Sequence, residues 1–171
     1  MFNSNTLLKS LIVGLSIFLF DLLTKFLVQK YIPVMSMGFL SYPYGGVGIF
    51  KDFFGIEFSI IHVRNWGAAW GILRDFQIYL LAVRILLIFG VLIYLIRFNQ
   101  QRSWEIPLGL ILAGALGNVL DYFLYGHVVD MFHFVFWGYE YPVFNVADSA
   151  ICIGIFWLIL LSWFEKKATV T

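Results

Sequence analysis

The chain has 171 residues, of which 61% are hydrophobic, 20% aromatic and only 12% charged. Because a soluble domain is typically about 45–50% apolar and about 25% charged, this composition excludes an ordinary soluble domain and predicts a polytopic membrane protein. The formal net charge of +1 excludes the basic surface that a nucleic-acid-binding protein needs. The single cysteine, Cys152, excludes an internal disulfide.

Four apolar runs are long enough to cross a bilayer. A membrane-spanning helix needs about 20 predominantly apolar residues, and such runs cover residues 7–28, 78–96, 106–125 and 142–164. The first run is similar to a secretory signal peptide, but Asp21 and Lys25 interrupt it and no small-residue cleavage signal follows. We therefore expect four retained spans in a single membrane domain over residues 1–171.

The segment between the first two spans, residues 29–77, is predicted to contain a small β element. Two prolines and the glycine-rich stretch at 44–48 indicate turns. Residues 56–65 then alternate loosely between apolar and polar side chains, as in a strand with one buried face. The predicted fold class is an all-α membrane protein, with four transmembrane helices and a small extracytoplasmic β element between spans one and two. Its aromatic residues suit a position at the membrane surface.

The positions of Lys and Arg in the short loops predict the orientation of the chain. Lys9 precedes the first span, Arg97 and Arg102 lie between the second and third, and two lysines follow the fourth. The loop at 126–141, between the third and fourth spans, has no Lys or Arg. We therefore expect both termini in the cytoplasm and both longer connections on the outer side.

Charged side chains within the spans are costly in lipid and need a reason. Asp21 and Lys25 lie four residues apart on one face of the first span. This spacing predicts an internal ion pair, with a substrate-binding or site-shaping role as the alternative. Arg84 is the charged residue of the second span, and we expect it to pair with an acid on another span or to extend to the interface.

Three acids are predicted to converge near the outer ends of the third and fourth spans. Two Asn-x-x-Asp patterns are formed by Asn118 with Asp121 and by Asn145 with Asp148. The i,i+3 spacing places each amide beside its carboxylate. Asp130 lies in the loop between them, and residues 103–165 contain no Lys or Arg to neutralise the acids. Two carboxylates held close in a low dielectric cannot both ionise, so a pair can activate water and protonate a leaving amine.

The residues alone leave three interpretations of this acid cluster open: catalysis, a proton or ion pathway, and a structural hydrogen-bond network. A small four-span transporter or proton-conducting protein needs ionisable groups along its whole path, whereas these acids cluster toward one face. A structural or assembly subunit would tolerate replacement of the acids by amides. A zinc protease is not indicated, because His62, His127 and His133 match no HExxH spacing. We expect His127 and His133, which border the loop that contains Asp130, to be interfacial or supporting groups and not metal ligands.

Five sequence blocks occur in order along nearly the whole chain. They are DLLTK at 21–25, NWGAAW at 65–70, GALGNVLD at 114–121, GHVVDM at 126–131 and FNVADS at 144–149. Together they resemble the motifs of the lipoprotein signal peptidase (signal peptidase II) family, which are four-span bacterial membrane aspartyl proteases. One departure is Tyr122, at the position directly after the acid of the third block where the family usually has arginine.

The resemblance implies that Asp130 and Asp148 form a catalytic pair and that no metal or organic cofactor is needed. It implies substrate-binding or supporting roles for Asn65, Gly67, Asn118, Asp121, Asn145, Asp21 and Lys25. The implied reaction is removal of the signal peptide from a prolipoprotein whose cysteine carries a diacylglyceryl group, by aspartate-activated water, with the cut directly before that cysteine. The implied setting is the bacterial cytoplasmic (inner) membrane, where a monomer contacts substrate and membrane lipid near the outer face.

Overall fold

The computed structural model describes residues 4–36, 38, 40–67 and 72–168. Within these ranges the helices are α1 (Ser4–Tyr31), α2 (Gln77–Ile93), α3 (Glu105–Tyr125) and α4 (Val146–Ala168). The described residues contain four helical segments long and apolar enough to cross a membrane, namely Thr6–Tyr31, Arg74–Phe98, Arg102–Tyr125 and Val146–Glu165. The predicted membrane fold with four spans is confirmed.

The fourth helix begins later than its apolar run suggests. The run starts at residue 142, whereas α4 starts at Val146. Phe144 forms two backbone hydrogen bonds with Phe132, one in each direction at 2.8 and 3.3 Å. These bonds hold the chain extended until the helix begins, because a residue paired across strands cannot adopt helical dihedral angles.

Two distant segments combine into one antiparallel sheet. β1 (Val47–Phe53) and β2 (Ile56–Asn65) lie between α1 and α2, while β3 (Val128–Phe136) and β4 (Tyr139–Glu140) lie between α3 and α4. The strand order among the described residues is β1-β2-β3-β4, with antiparallel neighbours. The β element predicted between the first two spans is thus confirmed, and it also includes residues that the sequence suggested were only a loop.

The two faces of this sheet differ because side chains alternate along each strand. Asp130, Phe132 and Phe134 share one face of β3, where the Phe134 ring stacks on Phe58 of β2 at a centroid distance of 4.3 Å. The opposite face of the same strand contributes buried apolar side chains to two small cores. Val129 on that face is completely buried. Asp130 therefore lies at one end of an aromatic face of the sheet, on a strand whose opposite face packs into the two cores.

The chain divides into two compact units. The first contains the described residues of Met1–Asp21, Val83–Val119 and Val146–Thr171, and the second those of Leu22–Ala82 and Leu120–Asn145.

Close helix packing in the first unit depends on small residues of α3. A Cβ atom at Gly114 would clash with the Ala147 carbonyl oxygen, and one at Gly117 would lie 2.5 Å from Asp21 Oδ2. Small residues at such contacts are typical of membrane helices, since they allow backbones to approach. They set α3 against α1 and α4 and thereby position Asn118.

Candidate active site

Asp130 of the second unit is held by two neutral amides. Its side chain is buried, with 2% of its surface exposed. Asn65 Nδ2 donates to Asp130 Oδ2 over 2.8 Å, and Asn145 Nδ2 donates to Oδ1 over 2.8 Å. Each carboxylate oxygen therefore accepts a hydrogen bond from a side chain that carries no charge. This arrangement fixes the position of the carboxyl group while leaving its neighbours compatible with a change in protonation.

A β-bulge in β2 brings Asn65 to Asp130. Ile60 pairs with Phe132, but the next aligned pair is Val63 with Asp130, so β2 has one extra residue here. Because side chains alternate, Val63 and Asn65 lie on the face of Asp130. Without the extra residue, the even-numbered side chains, including that of Arg64, would lie on this face in place of Val63 and Asn65. The bulge therefore places an amide, and not a cation, beside the carboxylate.

The Asn65 amide has only one useful orientation. The backbone N–H of Gly67 donates to Asn65 Oδ1 over 2.9 Å, so Nδ2 is the end that faces Asp130. Gly67 was predicted to lie near the site, and its backbone N–H contributes this contact. Residues 68–70 of the same sequence block lie outside the described residues.

Asp148 belongs to the first unit and lies in the first turn of α4. Asn118 Nδ2 donates to Asp148 Oδ1 over 2.8 Å. The Asn-x-x-Asp spacing predicted each amide beside the acid of its own motif. The structure shows Asn118 donating to Asp148 and Asn145 donating to Asp130. Each amide thus contacts an acid outside its own motif.

Asp121 has a cationic partner, contrary to the prediction that the acids lack one. Lys25 Nζ lies 2.8 Å from Asp121 Oδ2, and both side chains are completely buried. The backbone N–H of Val129 donates to the same oxygen over 3.1 Å. The prediction considered only cations close in sequence to the acids, whereas this one comes from α1. The pair joins α1, α3 and the start of β3 within the second unit.

Asp21 contacts the beginning of α4 within the first unit. The backbone N–H of Ala147 donates to Asp21 Oδ1 over 2.8 Å. The first N–H groups of a helix have no partner within the helix and favour an anion nearby. Asp21 therefore stabilises the helix start that carries Asp148. This contact is additional to the i,i+4 relation with Lys25 that the sequence indicated.

A cavity of about 420 Å³ adjoins Asp130 in the second unit. The other residues that line it are Val63, Arg64, Asn65, Trp66, Arg74, Pro142 and Val143. Its volume lies within the usual range for ligand pockets, about 300–1,000 Å³. Sequence reasoning did not identify Trp66 or Arg74 as site residues. The place of Trp66 in the NWGAAW block is a sequence feature that indicates a position at the site. No sequence feature indicates the same for Arg74.

The three histidines are buried side chains. His62 and His133 are 2% exposed and His127 is 7% exposed. Burial lowers the pKa of each imidazole below its ordinary value of 6.5, because removal from water disfavours the charged form. A neutral His62 is anchored by its Nδ1 contact with the Ile32 carbonyl oxygen at 2.9 Å. We therefore assign all three to packing around the site.

Comparison with known proteins places most of the chain within one family. A family model described as signal peptidase (SPase) II matches residues 13–164. The lipoprotein signal peptidase of Bacillus pumilus is 37% identical over 150 residues, which cover 87% of this chain and 88% of that protein. The lipoprotein signal peptidase of Actinobacillus succinogenes is 39% identical over 158 residues, with 88% of each covered.

Solved structures show the same fold. A bacterial membrane enzyme determined by the in meso method at 2.3 Å resolution is similar with a TM-score of 0.78 and 27% sequence identity. The match covers 92% of this chain and 89% of that one. A second bacterial membrane enzyme, determined by the same method at 1.9 Å resolution, gives a TM-score of 0.72 at 28% identity, with 90% and 91% covered.

Proposed function

The chain belongs to the signal peptidase II family and is therefore a multi-pass membrane peptidase, and from this premise we propose that it is an aspartic endopeptidase acting on lipoprotein precursors. The observation that carries the proposal is Asp130, a buried carboxyl group held by two neutral amides at the wall of a cavity. A group that must gain and lose a proton during reaction needs fixed geometry, and these two hydrogen bonds supply it.

We propose Asp148 as the second member of the catalytic pair. Asn145, which donates to Asp130, immediately precedes the helix whose first turn carries Asp148. Asp148 likewise accepts from a neutral amide, that of Asn118. The two acids thus have matched hydrogen-bond partners, and the family resemblance assigns both to catalysis.

The proposed chemistry is direct attack of water on the scissile carbonyl. The ionised carboxylate removes a proton from water as the new C–O bond forms, and the protonated carboxyl donates its proton to the carbonyl oxygen. The resulting diol then collapses: the C–N bond breaks, the amine takes the proton that came from water, and a diol hydroxyl returns a proton to the second carboxylate. Both acids end as they began, and no covalent enzyme intermediate forms.

The proposed substrate is a prolipoprotein whose cysteine carries a diacylglyceryl group, with cleavage directly before that cysteine. The named relatives are lipoprotein signal peptidases. A peptide with two acyl chains partitions into the bilayer, because each buried CH₂ contributes about 0.8 kcal/mol. Asp130 follows the end of α3 closely and Asp148 begins α4, which supports cleavage near a membrane surface.

The proposed setting is the cytoplasmic membrane of a bacterium, with a monomer whose termini are cytoplasmic and whose site is near the outer face. Arg97 and Arg102, in the short connection between α2 and α3, support this orientation. The connection between α3 and α4, which contains Asp130, has no Lys or Arg.

The test is cleavage of a diacylglyceryl-modified prolipoprotein by the purified chain in detergent, with the products identified by mass. We expect wild type to cut directly before the modified cysteine. Asp130→Asn and Asp148→Asn should each lower the rate by about 10²–10⁴-fold, since an amide cannot accept or supply the proton. Asp52→Asn, an exposed acid of β1, is the matched control and should cleave like wild type.

Folding is compared by thermal unfolding of every variant in the same detergent. The proposal is contradicted if folded wild type cleaves nothing or cuts elsewhere in the substrate. Cleavage at the wild-type rate by either Asp130→Asn or Asp148→Asn would contradict the assignment of the catalytic pair.

A further inference from the structure

Trp66 and Arg74 form a stacked pair at the cavity beside Asp130. The guanidinium carbon of Arg74 lies 4.6 Å from the centroid of the Trp66 ring, and both residues line the cavity. The Trp66 ring in turn lies 5.6 Å from the ring of His127, which is buried. Trp66 therefore contacts a buried ring as well as Arg74, so it can hold the arginine in a defined position although Arg74 itself is exposed.

The N–H groups of the stacked Arg74 guanidinium are available as hydrogen-bond donors. Stacking uses the face of the group, whereas its five N–H bonds lie in its plane. Among the described residues, Arg74 has no ion pair and no hydrogen bond. The Asn65 amide, by contrast, is occupied at both ends by Asp130 and Gly67. Arg74 is thus the lining residue best able to bond with an occupant of the cavity.

The second arginine at the cavity has a different environment. Arg64 pairs with Val129 in the sheet, so its side chain starts on the face opposite Asp130. Its charge lowers the pKa of His62 and His127, in addition to the larger effect of their burial. We therefore assign the donor role to Arg74.

We propose that Arg74, positioned by Trp66, binds a carbonyl oxygen of the substrate beside Asp130; this inference rests on the proposed function. The cavity walls formed by Val63, Pro142 and Val143 are apolar, and a neutral occupant avoids repulsion from the carboxylate of Asp130. A carbonyl oxygen is neutral and accepts two hydrogen bonds from a planar guanidinium. The substrate offers such oxygens in the peptide backbone near the cut and in the ester groups of the lipid.

The test compares kcat and KM for Arg74 and Trp66 variants of the full chain in detergent. Arg74→Gln should lower kcat/KM about 10–100-fold, mainly through KM, because it removes charge-assisted hydrogen bonds made to bound substrate. Trp66→Leu should lower kcat/KM by a similar factor, whereas Trp66→Phe should keep most of the wild-type kcat/KM. The double variant Arg74→Gln/Trp66→Leu should be no worse than either single variant, because Trp66 acts through Arg74.

The matched control is Arg97→Gln, an exposed arginine at the other end of the same apolar segment. It should retain wild-type constants, and all variants should unfold at the wild-type temperature. If Arg74→Gln cleaves with wild-type constants while wild type is active, the inference fails and the proposed function stands. If folded wild type cleaves nothing, both fail together.

A second substrate distinguishes the two sources of carbonyl oxygen. It carries ether-linked alkyl chains in place of the diacyl esters, so the ester oxygens are absent while the peptide is unchanged. An equal loss for Arg74→Gln on both substrates supports a peptide carbonyl. A loss confined to the ester substrate supports an ester carbonyl. A loss seen only with the ether substrate would contradict the inference, since neither source predicts it.

Discussion

Asp121 and Asp130 are buried carboxyl groups of the same structural unit, yet their partners differ in charge. Asp121 faces the ammonium group of Lys25 at 2.8 Å. Asp130 accepts hydrogen bonds from two amides. A buried cation strongly favours the ionised acid, because either charge alone would be costly there. Neutral amides can orient an acid in either protonation state, so the first contact suits structure and the second is compatible with proton transfer.

The largest effect on stability should come from breaking the Lys25–Asp121 pair. Lys25→Met leaves Asp121 buried without its cation, and removing one partner of a buried pair typically costs about 3–5 kcal/mol. We expect this loss in the free energy of unfolding, measured by denaturant titration in detergent.

The control is the double variant Lys25→Met/Asp121→Leu, which removes both charges. It should recover part of the loss, since neither charge is then left alone; recovery is incomplete because the Val129 N–H loses its acceptor. An unfolding free energy of Lys25→Met equal to that of wild type would show that the pair does not stabilise the fold.

A smaller effect should follow from removing either amide beside Asp130. Asn65→Ala and Asn145→Ala each delete one hydrogen bond to a charged group, a loss of about 1.5–3 kcal/mol. We expect the loss of this hydrogen bond to lower kcat/KM for cleavage of the lipid-modified substrate by about 10–100-fold. Asn99→Ala, in the connection between α2 and α3, is the matched control and should keep wild-type activity. Unchanged activity in both site variants would mean that the amides do not orient Asp130 for catalysis.

The smallest effect should be a dependence of stability on pH. Burial lowers the pKa of His62, His127 and His133 in the folded chain. Below pH 6.5 the unfolded chain therefore binds more protons than the folded one, so stability is complete above pH 6.5 and is lost as the pH falls toward the folded pKa values. We expect the unfolding temperature to decrease between pH 7.5 and pH 5.

His133→Gln should reduce this pH dependence by removing one of the three groups. Lys25→Met should keep it, because the histidines and not the ion pair cause it. A pH dependence unchanged in His133→Gln would exclude a contribution from that residue. The experiment thus distinguishes the contribution of the buried histidines to the pH dependence of stability from that of the buried Lys25–Asp121 pair.

The sequence predicted the fold class well because long apolar runs leave few alternatives to membrane helices. The alternation over residues 56–65 also predicted β2. By contrast, the sequence predicts a loop where the structure has β3, because residues Val128–Phe136 lie in a short connection between two spans and are nearly all apolar. A strand with apolar side chains on both faces lacks the alternation that identifies a half-exposed one.

Local spacing drew attention to these acids and amides, but it did not predict the contacts that they make. Asn145 and Asp148 share a motif, yet the Asn145 amide bonds with Asp130. Lys25 pairs with Asp121, which is distant in sequence. Such contacts depend on strand register and on the bulge in β2, and i,i+3 or i,i+4 rules describe only neighbours on one helix.

The pairing of β2 with β3 has a consequence for how the chain is made. Proteins are synthesised from the N-terminus, so β2 exists before α2, α3 and β3 have emerged. Until then its outer edge has no partner strand, and Asn65 has no Asp130 to orient. On the proposed function, a chain whose β3 has not yet been made lacks a catalytic acid and cleaves nothing. Cleavage begins only once β3 has paired with β2 and Asn65 contacts Asp130.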